Sequence, residues 1–226
     1  AQSFLTKLWN ASNFAGKALE GFDAEKVDRK KLQLRIADKW MLSQLNKTVR
    51  YVTASLENYE YYAALTAIHS FFWKSFCDYY LEEVKYRVYN EEQFGKQGKH
   101  AAQLVLHECL LKTLQMLAPF TCFTSEELYH SLFAGEAKKH KSIHLTSWPQ
   151  EDETLFDEEA GQLAEILHSI ISQARRFKAS NQLALNEPIS SADIYLPEEF
   201  MGEFEKIEEE VREVARIQNV NLKKLP

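Results

Sequence analysis

Apolar residues recur every three or four positions along most of the chain, which is the period of an amphipathic helix. The spacing predicts a first helix over residues 3–20, followed by Gly21 at a position typical of a helix C-cap. A second stripe predicts a helix over 31–58, and a third helix over 60–88 carries aromatic residues around most of its circumference. A helix that is apolar on several sides is contacted on several sides, so we expect the third helix to be central in a bundle.

The second half of the chain continues the helical pattern and then changes period near Ser190. The pattern predicts a polar loop with Gly95 and Gly98, a helix over 99–117, a short helix over 124–133 opened by a capping box of Thr124 and Glu127, an extended connector over 142–149, a long helix over 157–179, a strand from Ser190 to Leu196, an acidic helix from Pro197 to about Gln218 and a second strand from Asn219 to Leu222. The predicted fold is therefore mainly α with a small α+β appendage at its C-terminal end. We expect a helical bundle over 1–149, a further bundle helix over 150–185 and a β-α-β appendage over 186–226.

Composition narrows the class of protein. The chain has 226 residues, 45% of them hydrophobic, and a formal net charge of −6. No apolar run approaches the roughly 20 residues that a membrane helix needs. The three cysteines Cys77, Cys109 and Cys122 lack metal-type spacing, which favours a reduced, cytoplasmic protein. The first residue is Ala1 rather than Met, and we expect a piece of a longer chain.

Sequence signatures of catalysis are missing. The chain contains no Walker-type loop and no GxGxxG, HExxH, GxSxG or CxxC pattern. His140 and His144 lie four residues apart in a loop region, where an ordinary solvated loop is favoured over a metal site. Cys77 falls within the aromatic helix and is interpreted as a small buried hydrophobe rather than a nucleophile. The sequence thus predicts no independent catalysis, no catalytic residue and no metal site.

Charge is unevenly distributed along this acidic chain. Between Lys26 and Arg50 there are eight Lys or Arg residues and only two Asp residues. At 100° per residue, one arc of the second helix holds Arg35, Lys39, Ser43, Asn46, Lys47 and Arg50, and Trp40 lies on its shoulder. Cations beside an aromatic ring suit single-stranded nucleic acid, but a solvated helix face with Trp40 at the core edge fits the same pattern. The pattern by itself leaves both interpretations open.

Short sequence motifs show a resemblance that the overall composition does not reveal. Five strings stand out in order along the chain: KLWNASNF (7–14), ADKWMLSQL (37–45), FFWKSFCDYYLEEVK (71–85), LAPFTCFTSEELY (117–129) and SIHLTSWP (142–149). They resemble the region that follows the catalytic core of valyl-tRNA synthetases, which belong to class Ia. A sixth string, RRFKASNQLALNEPI (175–189), is more loosely similar to archaeal-type members. The string at 71–85 is specific, because isoleucyl and leucyl relatives share the bundle without it.

The resemblance implies an anticodon-binding helical bundle that grips the anticodon stem-loop of a valine tRNA. The resemblance implies a parent enzyme that joins valine to its tRNA with ATP and Mg²⁺ and has a separate editing domain. The HIGH and KMSKS signatures of its catalytic core do not occur here. The chain is therefore expected to bind tRNA without aminoacylating it and to need no cofactor of its own. Helix geometry and family topology together suggest phosphate contacts from Arg35, Lys39, Lys47 and Arg50, base stacking by Trp40 and base-edge hydrogen bonds from Asn13 and Gln44. The alternatives are an isoleucyl or leucyl homologue, or a helical protein-interaction scaffold that binds no RNA.

Overall fold

The computed structural model describes residues 2–225. Its contacts divide the chain into two compact units. The first unit comprises the chain up to Leu34 together with Met41–Phe156, and the second comprises Arg35–Trp40 together with the chain from Asp157 onwards. The predicted mainly α fold with a small α+β appendage is confirmed, since the strands lie only in the second unit among the described residues.

The first unit is helical throughout. Its elements are α1 (Gln2–Ala18), a 3₁₀ turn (Arg29–Lys31), most of α2 (Ile36–Glu57), α3 (Tyr61–Ser70), a π-helix (Phe71–Tyr80), α4 (Leu81–Tyr89), α5 (Glu91–Leu117), α6 (Cys122–Leu132), α7 (Ala134–Lys139) and 3₁₀ turns at Ile143–Leu145 and Glu153–Leu155. The predicted first helix is confirmed, and Gly21 beyond its end has a φ of 73°, a conformation that glycine adopts without steric cost.

The central helix is the continuous run of α3, the π-helix and α4. Its predicted span is confirmed, but the π-helical turns in the middle were not foreseen. Phe72, Phe76 and Tyr80 are fully buried and lie in one row, with ring centroids 5.5 Å and 6.4 Å apart. Only part of the aromatic set enters the core, because tyrosines near both ends of the run, such as Tyr62 and Tyr89, are exposed.

Two predicted helix starts are wrong. α2 begins at Ile36 rather than residue 31, because the buried Asp38 carboxylate accepts a hydrogen bond from the Arg35 backbone N–H at 3.0 Å and fixes the first turn there. The predicted capping box at Thr124 does not form, because α6 already begins at Cys122.

The fourth predicted helix is longer than expected. α5 begins at Glu91, inside the predicted polar loop, and breaks at Gly95, whose φ of 66° and ψ of 166° are not helical. A glycine is needed at this break because the φ is positive. The predicted span of 99–117 lies within the uninterrupted part that follows the break.

The second unit combines one long helix with a small parallel sheet. Its elements are the start of α2, α8 (Glu158–Ser180), β1 (Ile189–Leu196), α9 (Glu198–Met201), a 3₁₀ turn (Phe204–Lys206), α10 (Glu208–Ala215) and β2 (Ile217–Lys224). The predicted long helix and the β-α-β order are confirmed, and the strands pair in parallel with Ile189 opposite Ile217. The predicted continuous acidic helix is instead broken into α9, the 3₁₀ turn and α10.

Buried Lys178 ties this unit together. Its ammonium donates hydrogen bonds to the backbone carbonyls of Leu185, at 2.9 Å, and Ala215, at 3.0 Å. These bonds join the end of α8 to the loop before β1 and to the end of α10. Burial away from water lowers the pKa of Lys178.

Candidate nucleic-acid interface

The residues predicted to bind RNA are divided between the two units. Asn13, Gln44, Lys47 and Arg50 belong to the first unit, and Arg35, Lys39 and Trp40 belong to the second. These residues differ in solvent exposure and in their contacts. Some are open to solvent, whereas others already form ion pairs or pack against other side chains.

Arg35 and Lys39 are both paired with carboxylates of the second unit. The Arg35 guanidinium lies 2.6 Å from a Glu209 carboxylate oxygen and 3.7 Å from one of the buried Glu210. The Lys39 ammonium lies 3.7 Å from Asp157, whose other carboxylate oxygen accepts the Ala160 N–H at the start of α8. A phosphate would have to compete with these carboxylates for both cations.

Trp40 is buried against His168 rather than exposed to solvent. Its side chain is only 7% exposed, and its ring meets the His168 ring edge-on at a centroid distance of 4.4 Å. A base can stack on an aromatic ring only if a face of the ring is open. The core-edge interpretation of Trp40 therefore describes this structure, and the expected stacking role would require the ring to leave His168.

In the first unit, the segment before Phe156 runs along α2 and covers part of the predicted basic arc. The Trp148 indole N–H donates to the Thr53 hydroxyl at 2.8 Å, and the Asp152 N–H donates to the Asn46 side-chain oxygen at 2.9 Å. Because Asn46 is buried in this role, it is not part of a solvated face, and Ser43 is buried as well. The sequence arc placed both residues at the surface, and that placement is wrong.

Arg50 is held by the same covering segment. Its guanidinium forms an ion pair with Glu151 and lies 4.5 Å from the centre of the Phe156 ring, within cation–π range. The side chain is still about half exposed. Arg50 is thus a surface cation with a carboxylate already beside it.

Lys47 and Asn13 are exposed, and Gln44 is half-buried. Among the residues that the structure describes, Lys47 has no carboxylate partner within ion-pair distance. Of the four cations predicted to contact phosphate, Lys47 is the one whose charge is not already matched by a described carboxylate. It is therefore the side chain best placed to meet an incoming phosphate.

Two of the exposed aromatic residues of the first unit share a helix side with a predicted RNA contact, although neither was among the residues predicted to bind RNA. Trp9 is 44% exposed on α1 and Tyr51 is 53% exposed on α2. The three-and-four spacing of α1 counts Trp9 with the apolar residues, although a turn of 100° per residue places it only 40° from Asn13. Tyr51 follows Lys47 by one helical turn in the same way. The angular positions were a usable signal, because both residues share a side of their helix with a predicted RNA contact.

Two further sequence features concern possible chemistry, namely the Cys77 thiol and side chains that could bind a metal ion. Burial raises the pKa of the Cys77 thiol to about 12, which leaves almost no reactive thiolate at neutral pH. Within residues 2–225, no group of three or more His, Cys, Asp or Glu side chains is arranged to hold a metal ion. The described helices include none that is both long and apolar enough to span a membrane.

Comparison with known proteins gives consistent matches. Proteins named valine–tRNA ligase match this chain at 34% identity in Pyrococcus horikoshii over 96% of the chain, at 37% in Methanosarcina barkeri over 86%, and at 38% in Ehrlichia canis over 83%. The chain spans less than a quarter of the length of these relatives, covering 23%, 22% and 22% of them respectively.

A family model described as the anticodon-binding domain of tRNA ligase matches residues 38–196. The matched region takes in most of α2, the central helix and the whole of α8. It covers well over half of the chain and includes Lys39, Trp40, Gln44, Lys47 and Arg50 among the predicted contacts. The chain belongs to the anticodon-binding domain family of tRNA ligases.

Proposed function

We propose that this chain binds the anticodon stem-loop of a valine tRNA as part of a valine–tRNA ligase. The observation that carries the proposal is the family match over 38–196, which includes the exposed and carboxylate-free Lys47. The similarity to valine–tRNA ligases over most of the chain supports valine as the amino acid concerned. The resulting partner is a valine tRNA, and the location is the cytoplasm, where translation takes place.

The chemical reaction belongs to the parent enzyme. A valine–tRNA ligase attaches valine to its tRNA at the expense of ATP, and Mg²⁺ accompanies the nucleotide. The residues of this chain are assigned neither to ATP nor to Mg²⁺, and we place both in a catalytic domain elsewhere in the parent, beside a separate editing domain. The role of this chain is to bind and position the tRNA. We keep the functional division into a bundle over 1–149, a helix over 150–185 and an appendage over 186–226 as part of the proposal.

The proposed contacts follow from the ion pairs. Lys47 neutralises phosphate directly, whereas Arg35, Lys39 and Arg50 contribute when a phosphate replaces their carboxylate partners. Asn13 and Gln44 have side-chain amides, which both donate and accept hydrogen bonds at base edges. Trp40 supports the beginning of α2, and it stacks on a base only after leaving His168.

The proposal is tested by titrating a fluorescent valine tRNA with wild-type chain and with Lys47→Ala across a range of salt concentrations. Loss of one phosphate contact should make the slope of log affinity against log salt shallower by about 0.7 to 0.9. Lys74→Ala is the matched control, because Lys74 is an exposed lysine of the same unit outside the proposed surface. Equal slopes for the two variants would contradict the role of Lys47. Equal affinity for an isoleucine tRNA would contradict the proposed valine specificity.

A further inference from the structure

The second unit contains an apolar groove of about 620 Å³ between α8 and β1. The helix lines it with one of its sides, which includes Ile166, Ile170 and Phe177 at spacings of four and seven. The strand lines it with six consecutive residues, 191–196. Because neighbouring residues of a strand point to opposite faces, a groove bordered by all six follows the strand backbone rather than one row of side chains. We call this space the β1 groove.

The strand beside this groove has an unpaired edge. Among the described residues the sheet consists of two strands, and β1 pairs through one edge with β2. The opposite edge of a strand in that position presents unpaired backbone N–H and C=O groups. Parallel sheets generally have more strands and are covered on both faces. Two parallel strands beside an open groove therefore have the form of an incomplete sheet, to which a further strand can be added.

The exposed apolar side chains of the second unit gather around the β1 groove. Phe177 is 51% exposed, Tyr195 is 50% exposed and Leu225 is 51% exposed, and all three line it. Covering these side chains with apolar residues would remove their surfaces from water, which favours association. A strand that fits the groove therefore carries apolar residues at alternate positions, on the side that meets α8.

The two ends of the groove differ in charge. Buried Lys178 ties the end of α8 to the end of α10, which brings Arg176 and Arg216 to one end of the groove. Both arginines are exposed, and neither has a carboxylate within ion-pair distance among the described residues. At the other end β1 leads into the acidic first turn of α9, where Glu199 is exposed. A strand with a carboxylate at the arginine end and a cation at the glutamate end would match both.

We propose that the β1 groove holds an extended segment of the parent ligase from outside residues 1–226, paired with the open edge of β1 as a third strand. Backbone hydrogen bonds to β1 hold the segment, its apolar side chains pack on Ile170 and Phe177, and a carboxylate near one end pairs with Arg176. The chain spans less than a quarter of the length of the valine–tRNA ligases that it matches, so a parent of that kind has ample further chain to supply the strand. The inference rests on the proposed function in one respect, because it takes the parent to be such a ligase.

The first test compares amide hydrogen exchange of β1 in the full-length ligase and in the chain of residues 1–226. In the full-length protein, each β1 amide that gains a hydrogen bond to the third strand should exchange more slowly by roughly fivefold or more, the factor that corresponds to one net intramolecular hydrogen bond. Equal exchange of β1 in the two proteins would overturn the proposal.

The second test places a charge in the groove. In the full-length ligase, Phe177→Asp should speed β1 exchange to the rate seen in the shorter chain, because a carboxylate opposes burial of the apolar segment. Leu185→Asp is the matched control, since Leu185 is 68% exposed in the same unit but does not line the groove. Its β1 exchange should equal that of the wild-type ligase. The same β1 exchange rate in both variants would contradict the role of the groove.

The identity of the occupant is tested by photo-cross-linking in the full-length ligase. Phe177→p-benzoylphenylalanine places the reactive group in the groove, and mass spectrometry identifies the peptide that it captures. The expected product is an intramolecular cross-link to a segment from outside residues 1–226. A cross-link to a second ligase molecule, seen as a doubled mass under denaturing conditions, would overturn this occupant, and so would the absence of any cross-link.

These measurements involve no RNA, so the two proposals can fail separately. If the ligase binds a valine tRNA while β1 exchanges equally in both proteins, the groove inference fails and the proposed function stands. If neither protein binds a valine tRNA, the proposed function fails, and exchange and cross-linking still decide whether a strand fills the groove.

Discussion

Neutralising the carboxylate beside Arg50 should strengthen RNA binding. Arg50 is about half exposed, and its guanidinium is paired with Glu151 and held over the Phe156 ring. In Glu151→Gln the cation keeps the ring contact but loses the competing charge. Arg50 can then contact phosphate without first breaking an ion pair.

The size of the effect follows from the exposure of the pair. An exposed ion pair contributes about 0 to 1 kcal/mol to the free energy of unfolding, so the substitution should barely change stability. One additional phosphate contact steepens the salt slope by about 0.7 to 0.9, and a fourfold reduction in salt should then improve affinity roughly threefold more than in the wild-type chain.

The assay is anisotropy of a labelled valine tRNA over a series of salt concentrations. Glu57→Gln is the matched control, because it removes the same charge from an exposed residue of α2 that has no ion-pair partner among the described residues. Arg50→Ala combined with Glu151→Gln completes a double-mutant cycle and should cancel the gain. If Glu151→Gln and Glu57→Gln give the same slope, the gain is a general charge effect and the reasoning about Arg50 is refuted.

Two further predictions concern the stability of the first unit. Phe76→Ala should lower the free energy of unfolding by about 3–5 kcal/mol because the ring is fully buried, whereas Trp73→Ala should cost less because Trp73 is half-buried; urea denaturation would show equal costs if this placement is wrong. The hydrogen bond from His107 lowers the pKa of Glu136 below its ordinary 4.5, so its stabilising contribution is complete above that value and is lost as the pH falls through the lowered pKa. Glu136→Gln should therefore lose less stability on acidification than the wild-type chain, and identical acid-denaturation profiles would contradict this.

The hydrophobic pattern alone was sufficient to predict the elements that have a long, regular pattern of apolar residues. The stripe of α8 and the alternation from Ser190 to Leu196 each correspond to one element with few competing conformations, and both predictions are confirmed. The residues at which helices begin were harder to predict. The start of α2, for example, depends on one hydrogen bond from the Arg35 N–H to the Asp38 carboxylate. The π-helical turns of the central helix were also unforeseen, since apolar spacing does not distinguish them from α-helix.

The candidate surface was less predictable than the fold. Helix angles correctly predicted that Lys47 is exposed to solvent. They also predicted an exposed Asn46, but the backbone of Asp152, more than 100 residues away in sequence, covers that side chain. The same reasoning could not foresee that Glu151 pairs with Arg50 or that His168 packs on Trp40. Such contacts depend on which distant segments meet in the fold. The angular positions of residues around a single helix carry no information about them.

If this chain recognises the anticodon of a valine tRNA, changing that anticodon should weaken binding. The most direct measurement is the affinity of the chain for a labelled valine tRNA, in competition with an isoleucine tRNA and with a valine tRNA carrying a different anticodon. We expect salt-dependent binding, with the native valine tRNA displacing the label at lower concentration than either competitor. Equal competition by all three RNAs would contradict anticodon recognition, and binding that is absent at low salt would contradict the RNA interface itself.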